Sequence, residues 1–502
     1  MNLNKITEKI TEKKMLFLII IFGFLVRLYA FNFTYIINND GVYYINQARA
    51  IFYGNWELAK QCGYDFISIY HVLIPVFYRI FGDWIIAAKS ISLLFGTLTI
   101  IPCYLILKNF LRHSTALITS LAFSLNPFFV LNSVEVIKDP IFWFFALLGI
   151  SFFVTGIHSS KKSYLLLLSS FFFLCAGVAR FEIVIYFIGS ILYILSFKQA
   201  RAKNLFFFIL PIVALGIIIL SGLFPYQESF NMWTAYFEPR IYKFFHNIYD
   251  NVLNEDIFKK SISAMSLIIY KTINTLYLPI LPFFIVGIIK LKRILNKNQH
   301  VWYLSILSLL SVLGLYLFYM KIEVMSSRYT SLIILPAFVF VGVGIEQTIH
   351  FLKTKKLNER TVLWAICTYI VVFSLSYNLS DIHKSTEKLI YKNIGQYIAS
   401  IEGNQKVEIM SCDERIAFYA NLYAKDIACA NLFGNYYQMI VIKYPELVLQ
   451  LKEKKIKYFI WDKKSWANAQ YDFLTTSEPE HFKEKLRRDT KNNTFIVYEV
   501  LY

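Results

Sequence analysis

Charge is scarce in this chain. Only 17% of its 502 residues are Asp, Glu, Lys or Arg, against about 25% in soluble domains. Glycine (19) and proline (12) are sparse too, which excludes a collagen-like or low-complexity disordered chain. The six cysteines, Cys62, Cys103, Cys175, Cys367, Cys412 and Cys429, are scattered with no CxxC. That excludes a disulfide-framework miniprotein, a zinc ribbon and a thioredoxin-like site. There is no GxGxxG, GxxxxGK, HxxxH or HExxH and no repeat at solenoid spacing, so neither a nucleotide cradle nor a metal site is readable from spacing. The first apolar run lacks a small-residue cleavage pattern and reads as a retained helix, not a signal peptide.

Apolar residues are abundant: 57% of the chain is hydrophobic and 18% aromatic. Runs of ~17–25 apolar residues, the length needed to cross a bilayer as helix, recur about eleven times. They cover roughly 15–33, 84–107, 114–131, 140–157, 163–179, 181–197, 204–223, 265–289, 301–320, 330–352 and 361–379. The expected fold class is a polytopic α-helical membrane protein with one small C-terminal α/β domain. The expected division is residues 1–380 for the membrane part and 381–502 for that domain.

The net charge is +18, with 51 Lys and Arg against 33 Asp and Glu. With the N-terminus inside, the inner segments hold 19 Lys and Arg in 47 residues and the outer segments 11 in 108. That roughly fourfold difference in density is the positive-inside signature. The cationic excess is therefore a topology signal, not a nucleic-acid footprint. Most acids ahead of residue 380 lie in the outer segments, which the orientation rule does not demand, and this points to carboxylate chemistry on the outer face. An odd number of spans places the C-terminal domain outside as well. Of the cysteines, Cys62, Cys412 and Cys429 then face an oxidising compartment. A Cys412–Cys429 bridge is one expectation and two small core residues the other.

The first outer loop, about 34–82, contains DGVYYINQARAIFYG (40–54). Val42, Ile45, Ala48 and Ile51-Phe52 recur near helical spacing, which predicts an amphipathic helix lying in the membrane interface and ended by Gly54. Further outer loops are expected at 132–139, at 224–264 with its many aromatics, and at 321–328. From 381 the composition becomes that of a soluble domain, with 18 basic and 16 acidic residues. Helices are expected near 383–401, 413–421, 444–454 and 479–488. Strands are expected at 407–412, 426–430, 457–462 and 494–500. This alternation predicts an α/β domain.

Candidate site residues gather at the outer ends of the spans. Asp40 follows span one and opens the loop helix, where its bland role is an N-cap. Asp139 precedes Pro140 at the start of span four, ordinary helix-start chemistry, and Glu135 lies one turn earlier. Arg27, Lys89, Arg180, Glu182 and Arg328, the last followed by Tyr329, sit where a bilayer makes charge costly, although long cations can snorkel to the headgroups. His71 is an outer-loop histidine beside span two, and His246 is a weaker candidate. Charges of both signs on one face describe a partly buried site suited to an anionic lipid headgroup.

The order Arg27, Asp40, DGVYYINQARAIFYG, the Pro75 run ending in Phe81-Gly82, and AAKSISLLFG (87–96) resembles the GT-C glycosyltransferases. It is most similar to the protein O-mannosyltransferase and aminoarabinose transferase superfamily. Asn126-Pro127, Glu135 to Asp139-Pro140, GVARFE (177–182) and SRYTSLIILP (327–336) continue the likeness over about residues 15–350. Many relatives carry Asp-Glu in the first loop, whereas here Gly41 follows Asp40. The resemblance implies transfer from a polyprenyl-phosphate-linked sugar, with Asp40 as base or acceptor-orienting carboxylate and Asp139 in the same cavity. It implies that His71 and the Arg328-Tyr329 pair lie near the lipid phosphate.

Residue chemistry agrees with this reading. Polyprenyl phosphate leaves without a strong general acid. A carboxylate with an ordinary pKa of ~4 is ionised at neutral pH and can take an acceptor proton, help worth ~10²–10⁴-fold. Asp139, with Glu135 or Glu182 in support, can stabilise oxocarbenium character at the sugar. Arg27, His71, Lys89, Arg180 and Arg328 are candidates to hold the departing phosphate, and a single displacement inverts the anomeric centre. No cofactor is readable from these residues, and a divalent metal bridging phosphate and carboxylates is compatible with them. The expected partners are a lipid-linked sugar donor, membrane lipids and a lipid A, envelope-glycan or protein acceptor, with no nucleic acid. The expected location is a bacterial inner membrane. The rivals are a transporter or flippase, which wants ionisable residues at the midplane, a non-catalytic assembly factor, and an O-antigen ligase or polymerase of a different fold.

Overall fold

The computed structural model describes residues 3–62, 67–157, 160–196, 200–221, 256–291, 300–382, 388–403, 405–424, 444–466, 480–490 and 493–502. The long loop expected at 224–264, with His246, lies mostly outside them, as does the strand expected at 426–430. In chain order the labelled helices are α1 (Leu3–Phe33), α2 (Asn39–Phe52), α3 (Ile69–Phe81), α4 (Trp84–Leu98), α5 (Ile100–Leu107), α6 (His113–Leu125) and α7 (Pro127–Asn132), with a further short helix, Trp56–Gln61, between α2 and α3. Next come α8 (Asp139–Ile157), α9 (Leu165–Ala179), α10 (Val184–Ser196), α11 (Arg201–Leu220), α12 (Asp256–Leu276) and α13 (Leu281–Ile289). α14 (Val301–Ile322), α15 (Ser331–Thr354) and α16 (Glu359–Ile382) complete the apolar series. The C-terminal segment adds α17 (Leu389–Glu402), β1 (Ile409–Met410), α18 (Glu414–Ala420), α19 (Tyr444–Glu453), β2 (Tyr458–Asp462), β3 (Phe482–Thr490) and β4 (Asn493–Val500).

The chain packs as two compact units. One is Met1–Phe33 with Lys89–Ile382, and the other is Thr34–Ala88 with His383–Tyr502. The division expected from composition, at 380/381, differs from this packing in one segment: the first outer loop joins the C-terminal residues.

The first unit is a polytopic membrane bundle. Within the described residues all eleven apolar runs form helix. Among the described residues seven are long and apolar enough to span: Thr11–Phe33, Trp84–Leu107, Asp139–Ile157, Arg201–Ile218, Val301–Ile322, Ser327–Thr354 and Glu359–Ser380. An eighth, Phe258–Leu276 with Leu278–Ile289, is bent by 88°. α9 and the Phe181–Ser196 segment are shorter apolar helices. The run at 114–131 is split at Asn126-Pro127, because proline cannot continue the hydrogen-bond ladder of the preceding turn. α15 is buried along most of its length. It meets α13 almost backbone to backbone: a Cβ on Gly287 would stand 1.9 Å from the Phe340 carbonyl oxygen, and one on Gly344 1.7 Å from that of Phe283. Small residues at such crossings replace the hydrophobic drive that lipid does not supply.

The bend between α12 and α13 is built from identifiable parts. Tyr277 has φ +72°, and Leu278-Pro279 follows it. The carbonyls freed at the end of α12 are not left bare: Asn126 Nδ2 donates to Thr275 O (3.2 Å) and Leu276 O (3.0 Å). Irregular backbone at membrane depth needs such partners. The Thr275 and Thr330 hydroxyls are 2.6 Å apart, which ties the break to the 3₁₀ turn Ser327–Thr330 that precedes α15.

The second unit is α/β. Its sheet order is β1-β2-β4-β3, with β1 parallel to β2 and the other two pairings antiparallel. Alternation along β2 sends Tyr458 and Ile460 to a core with α17 and α18 (Ile394, Ile398, Ile416). Phe459 and Trp461 face the opposite core with α19 (Leu447, Leu451). The helix expected near 479–488 is instead β3. FKEKLRRDT has good helix formers, but it pairs with β4 from Phe482↔Val500 to Thr490↔Asn493. As an exposed edge strand it tolerates charge on its outward positions, and tertiary pairing overrides propensity.

α2 also differs from expectation. It does not present one apolar face to a membrane surface. Gly41, Val42 and Tyr44 through Ala50 are all buried, packed within this unit against α3 and α18. Arg49 is buried and donates to the carbonyls of Asn421 (3.3 Å) and Ala424 (2.8 Å). Ile37 N donates to the Tyr419 hydroxyl (3.0 Å). Gly54 follows the helix at φ +75° as expected of a helix stop. Cys412 is a thiol and not half of a disulfide, so the Cys412–Cys429 bridge does not form. Cys62 is disulfide-bonded, and Cys429 lies outside the described residues.

Candidate active site

Among the described residues each unit holds a cluster of ionisable side chains that includes expected site residues. In the membrane bundle the cluster begins with Asp139, the first residue of α8, where a carboxylate is favoured by the helix dipole. It is 1% exposed. Arg180 sits at the break between α9 and the 3₁₀ turn Phe181–Ile183, in extended conformation. Its guanidinium pairs with Asp139 through Nη1 and with Glu182 through Nη2 (2.6 Å) and Nε (3.3 Å). The Arg180 guanidinium also lies 4.8 Å from the ring centroid of Tyr329, a cation–π placement. Tyr329 packs on Phe318 in turn.

Arg328 enters from the Ser327–Thr330 turn, with Nη1 3.6 Å from the other Asp139 oxygen. At that separation it is an ion pair and not a hydrogen bond. Two carboxylates and two guanidiniums, from three separate connections, thus share one partly buried place. Arg180 has its fork filled by carboxylates. Arg328 is 28% exposed against 9% for Arg180, so it is the better placed of the two to meet an incoming anion.

Five of the ten expected site residues are therefore brought together: Asp139, Arg180, Glu182, Arg328 and Tyr329. Three others make hydrogen bonds to the backbone of the scaffold. Lys89 Nζ donates to Phe31 O (2.7 Å) and lies 4.2 Å from the Phe31 ring centroid, capping the last turn of α1 as a cation does at a helix C-terminus. His71 is buried and completes a capping box at the start of α3: its Nδ1 accepts from Ser68 N (2.8 Å). Arg27 is fully buried, with Nη1 donating to Gly23 O (3.1 Å) and Ser124 O (2.7 Å). Glu135 is half-buried in the turn ahead of α8.

Asp40 belongs to the second cluster. The N-cap of α2 is Asn38, whose Oδ1 accepts from Gly41 N (2.7 Å). Asp40 is thus not the cap, and it stands half-buried in the first turn. Three residues later, Tyr43 donates its hydroxyl to Glu414 Oε2. Glu414 is 8% exposed at the start of α18. Burial pushes its carboxyl above the usual range; the Tyr43 hydrogen bond opposes this, Asp413 adds to it, Arg415 opposes it, and Asp40 adds to it. The C-terminal segment carried no candidate in the sequence reading. The only local signal was DER (413–415), which reads as a helix cap, and Tyr43 lies 371 residues from its partner. Among the described residues no group of three or more His, Cys, Asp or Glu converges as metal ligands would.

Comparison with known proteins gives the fold its place. Over 96% of its length the chain superposes on the crystal structure of ArnT from Cupriavidus metallidurans bound to undecaprenyl phosphate, covering 97% of that protein with a TM-score of 0.64 at 13% identity. The fold is that of the GT-C glycosyltransferases. A second GT-C enzyme, the oligosaccharyltransferase AglB from Archaeoglobus fulgidus in complex with an inhibitory peptide and a dolichol-phosphate, matches 91% of this chain and 71% of its own. Its TM-score is 0.56 and its identity 10%. Residues 69–226 match the family described as dolichyl-phosphate-mannose-protein mannosyltransferase. No curated protein sequence matches significantly. On this GT-C scaffold the bundle cluster combines elements carrying GVARFE and SRYTSLIILP, two of the motifs on which the resemblance rested.

Proposed function

We propose that this chain is an integral-membrane glycosyltransferase that moves a sugar from a polyprenyl-phosphate carrier to an extracytoplasmic acceptor, with inversion. The observation that carries the reading is the Asp139–Arg180–Glu182–Arg328 cluster within a GT-C bundle. In one displacement the acceptor oxygen bonds to the anomeric carbon, the bond from that carbon to the phosphate oxygen breaks, and the acceptor proton passes to Asp40. Polyprenyl phosphate departs with the bonding electrons. Arg328 meets its negative charge, and Arg180 holds Asp139 and Glu182 in place. Asp139, with Glu135 four residues earlier in the chain, offers negative charge to the oxocarbenium-like sugar. Arg27, His71 and Lys89 are assigned to holding the helices that carry these groups. The sugar is a hexose or pentose, and the acceptor is lipid A, an envelope glycan or a protein.

Orientation follows from two independent features. The dense Lys and Arg segments belong inside, and a disulfide at Cys62 requires an oxidising compartment for the first loop. Both support a cytoplasmic N-terminus, with the α/β segment outside a bacterial inner membrane. Native mass spectrometry with a panel of polyprenyl-phosphate sugars, wild type beside Asp40→Asn, tests the reading. One headgroup should be retained selectively, and Asp40→Asn should bind it while losing transfer. Folded protein that binds none across a broad panel would move the assignment to an assembly factor. A flippase reading draws on the bent span Phe258–Ile289, and it predicts binding and translocation with no glycosylated product.

A further inference from the structure

Where α13, α15 and α16 meet, the bundle leaves an open groove of 290 Å³, lined by Phe283, Leu352, Leu357, Val362, Ile366 and Tyr369 among others. Among the described residues no charged side chain lines it. Its walls follow from the local backbone. α15 ends in a Schellman turn: Leu357 N donates to Leu352 O (3.3 Å), Lys356 N donates to Lys353 O (3.0 Å), and Lys356 takes φ +64°. Leu352 and Leu357 hold the two places whose apolar contact accompanies such a turn, and both line the groove. The close crossing of α13 on α15, at Gly344 and the Phe283 carbonyl, supplies the other wall. The left-handed place in a Schellman turn is usually held by glycine, or by asparagine. Here it carries a lysine.

The chain that frames the groove is basic. Lys355 and Lys356 immediately precede Leu357, and Arg360 immediately precedes Thr361, which also lines the groove. All three cations are exposed. The acid of this connection is already taken: Glu359 pairs with Lys353 (2.5 Å) and with Arg112 (3.5 Å). Among the described residues no carboxylate pairs with Lys355, Lys356 or Arg360. Lys355 Nζ lies instead 5.9 Å from the Phe351 ring centroid. Phe351, in the last turn of α15, and Trp364, in the second turn of α16, are 60% and 75% exposed. Tryptophan at such a place is the side chain that marks the headgroup level of a bilayer.

The positive-inside bias accounts for basic residues in this connection, but not for an apolar groove beside them. A free phosphate ion would use the cations and leave the groove empty, and a neutral lipid would do the reverse. A helix from another chain is too large: one turn, ~10 Å across and 5.4 Å tall, fills on the order of 400 Å³. A hydrocarbon chain with an anionic head uses both features. We propose that the groove binds an anionic phospholipid of the surrounding bilayer, with one acyl chain against Leu352, Leu357 and Val362 and its phosphate met by Lys355, Lys356 and Arg360. With the orientation argued above, the lipid belongs to the cytoplasmic leaflet, away from the face assigned to transfer. The site stands or falls independently of the sugar-transfer reading.

The test is native mass spectrometry of the full-length protein in detergent with equimolar dioleoyl phosphatidylglycerol and dioleoyl phosphatidylcholine. The wild type should retain a phosphatidylglycerol in preference to phosphatidylcholine. A basic side chain at an anionic lipid surface is worth about fivefold in affinity. The combined variant Lys355→Gln, Lys356→Gln, Arg360→Gln should therefore lose on the order of a hundredfold. Ala365 lines the groove, so Ala365→Leu, which fills it and leaves the cations, should lose the lipid as well. Lys161→Gln with Lys162→Gln removes two exposed cations from another inner connection and should change nothing. An equal loss in that control would reduce the effect to general attraction between a basic protein and anionic lipid, and would overturn the site. A wild type without preference, or an Ala365→Leu variant that retains the lipid fully, would overturn it too. So would displacement of the bound lipid by equimolar undecaprenyl phosphate, which would make the groove a carrier site. The three cation substitutions fall on exposed positions, and an unchanged size-exclusion profile confirms that the variant is folded.

Discussion

Arg180 illustrates what a membrane does to a single residue. Its fork is filled by Asp139 and Glu182, and its face is covered by Tyr329. A buried pair of this kind is weak evidence for stability, but removing one partner is costly, about 3–5 kcal/mol. Asp139→Asn leaves Arg180 and Arg328 short of a shared carboxylate at a site 1% exposed. Glu182 is 20% exposed, and water can compensate part of its loss. We therefore expect Asp139→Asn to lower the thermal midpoint more than Glu182→Gln, by size-exclusion thermal challenge in detergent. The reverse order would mean that Arg180 depends chiefly on Glu182. The charged positions themselves were legible in the sequence because charge near the end of an apolar run is conspicuous. Their pairing was not: Arg180 and Asp139 are 41 residues apart, and nothing local distinguishes them from Lys89, whose charge serves a helix end.

At the scale of elements, the apolar runs were readable because run length against bilayer thickness is nearly a matter of composition. What was not readable is where a helix stops inside a run. The Asn126-Pro127 break is signalled by its proline, but the bend at Tyr277 depends on Asn126, about 150 residues earlier, to donate to the exposed carbonyls at the end of α12. Strand β3 was misread for the complementary reason: Lys, Glu, Leu and Arg favour helix, and only the register with β4 decides otherwise. Asn126 occupies two breaks at once, since its Oδ1 also caps α7 by accepting from Phe128 N (3.0 Å). Asn126→Ala should cost about 1–3 kcal/mol through unsatisfied buried carbonyls. It should also weaken retention of a polyprenyl-phosphate sugar, because Thr275 and Thr330 link the bend to the turn carrying Arg328. Asn126→Asp, which lacks the donor but keeps the cap, separates the two functions. Retention in that variant equal to wild type would show that the bend does not need the amide.

For the whole molecule, the division by packing groups the first outer loop with the C-terminal segment. Composition could not reveal this, since a buried α2 and an amphipathic interfacial α2 share the same periodicity. A chain ending at Ile382 would leave Arg49 without the two carbonyls it donates to. We expect limited proteolysis of that truncated protein to cut within residues 34–88, where the full-length protein is protected. Equal protection of both forms would show that the loop folds by itself.

The Arg49–Asn421 hydrogen bond joins residues 372 positions apart. At ribosomal rates of ~5–20 residues per second, roughly 20–75 s separate the synthesis of the two partners. During that interval α2 has a bare arginine and an incomplete core, while the intervening spans are still being inserted. Its late partner makes the loop a client for whatever folding factors it meets while it waits. Translation speed over the intervening spans thereby becomes a determinant of how much of this protein reaches its finished state.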